Sequence, residues 1–277
     1  MDERATSGPT EGERWAREQL DALRTAGFAP AAIARFLAAS QRRAHERRAQ
    51  RPELARQARR WIAAGVLAWS APALAGAQPF RRRARSGMAW WTLTGLMLDW
   101  HLGMVETADG RARPLGPADA CTLVRAWLVP VAADSPTPLV CGVAAASDVL
   151  DGVLARAAEP TRIGRDLEGL ADVAFAIAAL RGAARRGWLG RLPAAVEVAR
   201  LAGGTAYAFA EYFRSSAPPA PGLTRATRVT ALPRTAGLIA AGLGHRRPAG
   251  ALVAIGAGSS LAAAGRAVLA RAATERA

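Results

Sequence analysis

The chain has 277 residues, a formal net charge of +15 and 51% hydrophobic residues, a length that allows one large or two modest domains. All 37 basic residues are arginine, which indicates a compositional bias, so nucleic acid is not expected as a partner and anionic lipid headgroups account for the charge equally well. The two cysteines and three histidines lack metal-site spacing, and the charged N-terminus lacks the apolar core of a cleaved signal.

Residues 1–60 are polar and rich in arginine, and their pattern predicts two helices, over residues 11–24 and 30–48. The second begins with proline at a first-turn position, where its missing N–H costs nothing. The favoured interpretation is an amphipathic helix pair near a membrane. A helix-turn-helix module that binds DNA or a partner remains open as an alternative.

From residue 61 onward, apolar segments rich in alanine and leucine recur, and the absence of period-two alternation predicts helices rather than strands. Several are shorter than the roughly 20 residues of a bilayer span, and their small residues suit close helix packing in a membrane bundle; a buried soluble bundle is the alternative. The first two segments flank the basic loop "FRRRARS" and are predicted to be interfacial or re-entrant, and the tryptophans of the second of them suit an interface. The segments are 61–77, 88–105, 118–133, 138–155, 167–180, 193–213, 229–243 and 249–270.

Four acidic residues stand in the apolar stretch "SDVLDGVLARAAEPTRIGRDLEGLAD", residues 147–172. On a helix, Asp148, Asp151, Gly152 and Ala155 share one stripe, in which the two small residues leave room beside the carboxylates. Arg156 ends this helix, where it can meet a phosphate, and Pro160 breaks it.

The next helix carries Gly164, Glu168 and Asp172 at four-residue spacing, again on one stripe. A short turn between antiparallel helices would bring the two acidic stripes together. Convergent carboxylates repel one another unless cations lie between them, and oxygen-only ligands select Mg²⁺ or Mn²⁺. Two such ions could also bind a pyrophosphate, so the pattern predicts a metal site with a diphosphate ligand.

The stretch resembles the signature of the CDP-alcohol phosphatidyltransferase family, D-x2-D-G-x2-A-R followed by G-x3-D-x3-D. Glu168 stands at the third acidic position, and the seven residues between Arg156 and Gly164 are one fewer than the family's minimum. The stretch "CTLVRAWLVP" resembles the family's first transmembrane helix through Thr122 and Arg125. The resemblance covers about residues 116–277. This range contains six apolar segments, the same number as the transmembrane helices of the family.

The resemblance implies a divalent-metal-dependent transferase that moves a phosphatidyl or similar substituted phosphate from a CDP-linked lipid, such as CDP-diacylglycerol, to a polar alcohol. The transfer releases CMP, and the resemblance places the reaction in phospholipid biosynthesis. The acceptor stays open between glycerol 3-phosphate, inositol phosphate and other alcohols, with glycerol 3-phosphate favoured because of Arg200 and Arg234. It further implies two ions of Mg²⁺ or Mn²⁺ and Asp172 as general base.

The site residues implied by the resemblance fall into three groups. Metal ligands are Asp148, Asp151, Glu168 and Asp172. Donor-binding residues are Gly152, Ala155, Arg156, Thr161, Gly164, Thr122 and Arg125. Acceptor-binding residues are Arg200 and Arg234.

We therefore expect an all-α, polytopic membrane helix bundle with a six-helix transmembrane core and an N-terminal helical extension. The expected domains are an extension (1–60), interfacial helices with a linker (61–115) and a transferase-like transmembrane domain (116–277). The expected location is the plasma membrane, with the active site facing the cytoplasm and a homodimer as a further expectation. The alternative is a non-catalytic protein of the same fold that binds CDP-lipid or scaffolds other membrane proteins, since Glu168 and the shortened turn depart from the signature.

Overall fold

The computed structural model describes residues 10–107, 110–158, 161–214 and 221–274. The chain divides into two units: unit 1 contains residues 1–127 and 147–172, and unit 2 contains residues 128–146 and 173–277. Across the described ranges the regular structure is helical, as the sequence predicts, and the extended backbone is limited to one isolated bridge between Glu106 and Ala112.

Each predicted apolar segment coincides with a helix, and both N-terminal helices are confirmed. Within the described ranges the helices are α1 (Glu11–Thr25), α2 (Pro30–Gln50), α3 (Pro52–Leu74), α4 (Ala84–Trp100), α5 (Pro117–Asp134), α6 (Pro138–Ala157), α7 (Arg162–Arg185), α8 (Arg191–Arg214), α9 (Pro221–Gly242) and α10 (Arg246–Thr274). Five of them begin at proline, whose fixed φ suits the first turn.

Helix α1 begins at a capping box, in which the Thr10 side chain accepts from the Glu13 N–H and the Glu13 carboxylate accepts from the Thr10 N–H. It pairs with α2 through Glu11, whose carboxylate accepts hydrogen bonds from Arg43 and Arg47. The Arg43 hydrogen bond, together with the charges of both arginines, lowers the pKa of Glu11 below its ordinary value of 4.5.

Helices α3 and α4 form a packed hairpin in unit 1. Trp91 is buried and donates from its indole N–H to the Ile62 carbonyl, and a Cβ added at Gly65 would overlap its ring. Trp69 is also buried and lies against Gly87 in the same way. The glycines therefore let the two backbones approach around large rings, and Trp91 is a core residue rather than the interfacial anchor that the sequence suggests.

The hairpin is joined to α5 by two indole hydrogen bonds, from Trp90 to the Ala126 carbonyl and from Trp127 to the Gly65 carbonyl. Residue 60, the predicted end of the polar extension, lies inside the continuous helix α3. The Gln57 side chain donates to the Leu115 carbonyl and accepts from the Leu115 N–H. These contacts fix the segment that enters α5, the first helix of the site.

Unit 2 is built around α10, which packs on α9 and α8. Gly237 on α9 lies against Val253 and the Ala249 carbonyl, so the helices approach closely where no side chain intervenes. At the other end of the unit, Arg186 donates from Nε to the Asp134 carbonyl and stacks over the Trp188 ring.

Two described helices are long and apolar enough to cross a bilayer, within Pro138–Ala157 and Arg246–Arg266. Only 22% and 28% of their apolar windows are buried within the protein, so most of this apolar surface is left for another environment. In a soluble bundle, the apolar surface of a core helix would be buried against the neighbouring helices. Judged on the residues that the structure describes, the other four helices expected to span do not pass this test, and the six-span core stays a prediction.

Candidate active site

Helix α6 presents a polar stripe and an apolar face, as its sequence pattern predicts. Asp151 on the stripe is buried, whereas the Asp148 side chain is 53% exposed. Val149, Leu150 and Val153 on other faces of the helix are exposed. These apolar side chains are uncovered in the structure, whereas Asp151 is enclosed within unit 1.

Three carboxylates converge where α6 and α7 meet. One oxygen atom from each of Asp148, Glu168 and Asp172 lies within 4.8 Å of the other two. Oxygens this close are compatible with a shared hard divalent cation, so this donor set fits Mg²⁺ or Mn²⁺. Glu168 takes part in the cluster, which means that the longer side chain still reaches the position of the signature's third aspartate.

Asp151 is held apart from this trio by partners on α5. Its Oδ2 atom accepts from the Thr122 hydroxyl at 2.9 Å and from Arg125 Nη2 at 2.9 Å. The two α5 residues lie one helical turn apart and therefore reach the same carboxylate. All three side chains are buried, so α5 and α6 are connected by a desolvated polar contact.

Arg125 is the cation among these acids. Besides Asp151, it forms ion pairs with Asp172, at 2.6 Å from Nε, and with Asp148, at 3.7 Å from Nη1. Its side chain is 3% exposed. Nε and Nη1 face Asp172 and Asp148 without forming a hydrogen bond among the described residues, so the guanidinium acts on these two carboxylates through its charge. The sequence places Arg125 with the donor, and the structure adds that it neutralises the carboxylates.

Thr161, at the start of the second acidic helix, is fixed by a residue that the sequence reasoning did not consider. Its hydroxyl donates to Asp119 Oδ1 at 3.0 Å, and the other Asp119 oxygen accepts from the Gly116 N–H at 2.7 Å. Asp119, the third residue of α5, therefore satisfies the backbone N–H just before the helix and also holds the beginning of α7. The indication in the sequence was an acidic residue in the first turn, two residues before "CTLVR".

The remaining residues of the predicted donor site lie along the same helices. Arg156 is exposed at the end of α6, and its Nη1 atom lies 3.3 Å from the point where a Cβ at Gly152 would stand. Ala155 is half-buried two residues before the end of the helix. Gly164 lies in the first turn of α7, and Pro160 lies outside the described residues.

Arg200 and Arg234 belong to unit 2, on α8 and α9, and share a partner that the sequence reasoning also missed. The buried Glu197 carboxylate binds Arg200 through two hydrogen bonds of 2.7 Å, and Arg234 Nε lies 3.5 Å from one of its oxygens. The sequence does carry an indication of this ion pair, because Glu197 lies three residues before Arg200 in an apolar helix.

Comparison with protein families agrees with the motif. The family model described as CDP-alcohol phosphatidyltransferase matches residues 117–256, slightly more than half of the chain. Searches of curated proteins and of solved structures found no match. The matched residues contain the acidic cluster, both α5 partners of Asp151 and the arginine pair of unit 2. The chain belongs to the CDP-alcohol phosphatidyltransferase family.

Proposed function

We propose that the protein is a membrane transferase that moves a phosphatidyl or similar substituted phosphate group from a CDP-linked lipid, such as CDP-diacylglycerol, to a polar alcohol. The observation that carries the proposal is the convergence of Asp148, Glu168 and Asp172 beside the buried Arg125–Asp151 pair, within the residues that match the family. In an apolar helix, such a concentration of acids is costly unless cations neutralise it.

In this proposal the carboxylates hold Mg²⁺ or Mn²⁺, as two ions, with Asp151 as the fourth ligand. Bound divalent ions would bind the diphosphate oxygens and stabilise the charge that develops on the leaving group. The trio supports this assignment because its oxygens are already close together. Asp151 would need to share its carboxylate between the ions and its α5 partners.

The chain's own residues would orient the donor. Arg156 would offer its exposed guanidinium at the end of α6, and Arg125 would lie beside the donor from inside the cluster, where it pairs with Asp148 and Asp172. Gly152 and Ala155 leave space along the stripe, while Thr122, Thr161 and Gly164 complete the donor site at its two ends.

The transfer itself would need little more than positioning and a base. The acceptor hydroxyl oxygen bonds to the phosphorus that carries the lipid, and the bond from that phosphorus to the oxygen shared with CMP breaks. Asp172 accepts the hydroxyl proton. CMP leaves with the electron pair of the broken bond.

We further propose a multi-pass protein of the plasma membrane, with six spans in residues 116–277 and the site facing the cytoplasm. Residues 1–60 and 61–115 would form an extension and a linker, and two copies would form a homodimer. The two weakly buried apolar helices support a membrane location. A role in phospholipid biosynthesis follows from the lipid donor.

A non-catalytic protein of the same fold is the second candidate. Arg125 favours it, because a guanidinium that already neutralises three of the four acids reduces their need for ions. In that case the protein would bind CDP-lipid without turnover or scaffold other membrane proteins. Asp172→Asn would then leave its cellular function unchanged, and Glu168→Asp would bring no gain.

The test is CMP release by the full-length protein in detergent or liposomes, with CDP-diacylglycerol, Mg²⁺ and a panel of alcohols. The panel contains glycerol 3-phosphate, inositol phosphate, serine, glycerol and inositol. We expect CMP release with at least one alcohol and loss of at least about a hundredfold in Asp172→Asn, since a positioned base contributes 10²–10⁴ in rate. Absence of CMP release with every alcohol would count against the transferase and favour the second candidate.

A further inference from the structure

One face of α3 is apolar and uncovered, while the opposite face packs on α4. On the uncovered face Leu67 and Leu74 are 68% and 89% exposed, whereas Trp69, which points to the core, is 1% exposed. The other side chains of this face are exposed alanines: Ala63, Ala64, Ala68, Ala71 and Ala75. At 1.5 Å per residue, residues 63–75 form an apolar surface about 18 Å long, which we call the α3 strip.

Arginines stand at both ends of the α3 strip. Arg59 and Arg60 precede it, and the loop from α3 to α4 carries four more arginines, while residues 61–98 contain no aspartate or glutamate. Arg59, Arg60, Arg81 and Arg85 are exposed, and their guanidinium groups form no ion pair or hydrogen bond with a described residue. The uncovered apolar surface therefore lies between cations that the chain itself does not neutralise.

We propose that the α3 strip and these four arginines form a docking surface for an anionic lipid bilayer, on which the α3–α4 hairpin lies without crossing it. The leucine and alanine side chains enter the boundary between headgroups and acyl chains, and the guanidinium groups reach the lipid phosphates. The inference goes beyond the proposed function, because it concerns residues outside the family match and requires no turnover.

Length and charge both favour lying on the bilayer over crossing it. The uncharged stretch of α4, residues 86–98, is about 20 Å long as a helix, whereas the hydrocarbon core of a bilayer is about 30 Å thick. A crossing hairpin would also carry its arginine-rich loop through the hydrocarbon, which is costly for every guanidinium group. The hairpin therefore suits the shallow depth of an interfacial helix.

A second copy of the chain is the competing occupant, and the charges disfavour it. Because both ends of the α3 strip are cationic, two strips packed face to face would bring arginines together in either relative direction. Like charges placed side by side across an interface are unfavourable. The strip also lacks the aromatic side chains that dominate the energetics of protein interfaces. An anionic lipid surface matches both the alkyl side chains and the positive charge.

The experiment uses the full-length protein reconstituted in vesicles, with a photoreactive benzophenone amino acid in place of one residue at a time. Leu67 and Leu74 report on the α3 strip, and Ala49, which is exposed on α2, is the control. Exposed positions are chosen because substitutions there usually leave the fold intact. The vesicles contain phosphatidylcholine alone or with phosphatidylglycerol, and mass spectrometry identifies the adducts formed on illumination.

We expect adducts with lipid acyl chains from positions 67 and 74, a much lower yield from position 49, and lower yields from the strip without phosphatidylglycerol. Each arginine near an anionic surface favours docking about fivefold, so the double variant Arg81→Gln, Arg85→Gln should lower the docking equilibrium constant about twenty-five-fold.

Four outcomes would overturn the inference: no lipid adducts from positions 67 and 74, adducts with a second copy instead, an equal yield from position 49, or yields that ignore both phosphatidylglycerol and the arginines. Absence of CMP release would remove the proposed function and leave this readout unaffected.

Discussion

Removing the Arg125 guanidinium should destabilise the protein more than removal of any exposed cation, because it leaves Asp151 buried without its charge partner. In Arg125→Met the chain keeps a long apolar stem, while Asp151, 5% exposed, retains only the Thr122 hydroxyl. Breaking a buried ion pair from one side costs about 3–5 kcal/mol. We expect this loss in the free energy of unfolding, measured by denaturant titration in detergent.

The double variant Arg125→Met, Asp151→Leu separates the cost of the orphaned charge from the worth of the pair. Replacing both partners of a buried pair by apolar side chains is often neutral, so the double variant should recover most of the loss. Arg56→Met is the control, since Arg56 and Glu53 form an exposed pair worth about 0–1 kcal/mol. A loss below about 1 kcal/mol in Arg125→Met, or additive single-variant losses, would refute the reasoning.

Three further predictions concern the supports of the fold. Gly182→Ala should cost about 1–3 kcal/mol or more because its Cβ would overlap a backbone carbonyl, whereas Gly203→Ala, with open space around it, should be neutral in the same thermal unfolding assay. Asp119→Ala should cost about 1–3 kcal/mol and increase hydrogen exchange at the start of α7, because Thr161 loses its acceptor; unchanged exchange would contradict this. The hydrogen bond from α2 lowers the pKa of Glu11, so its stabilising effect is complete above pH 4.5 and is lost as the pH falls through the lowered value. Hydrogen exchange of α1 should therefore rise on acidification, and a Glu11→Gln variant that shows the same rise would contradict it.

The helices and the acidic stripes could be predicted from the sequence because both depend on local spacing. Residues 148–155 and 164–172 carry their acids at helical intervals, and the structure brings Asp148, Glu168 and Asp172 together. The prolines that begin five helices are equally local signals.

The partners of these acids could not be predicted, because they depend on which helices meet. Arg125 lies 26 residues before Asp151 in the sequence, and a pattern along one helix does not reveal that its guanidinium enters the cluster. The position of Trp91 in the α3–α4 core also depends on Gly65 in another helix. Aromatic residues in an apolar segment suit a membrane interface and a packed core equally well.

The most direct test of the central claim, that the convergent carboxylates hold the divalent ions used in phosphatidyl transfer, is Mn²⁺ binding by the full-length protein, followed by electron paramagnetic resonance. Asp148→Asn is compared with Glu53→Gln, which removes an exposed acid outside the cluster. The account predicts bound Mn²⁺ and CMP release in wild type and Glu53→Gln, and loss of both in a folded Asp148→Asn. Equal Mn²⁺ binding in the three proteins would contradict it.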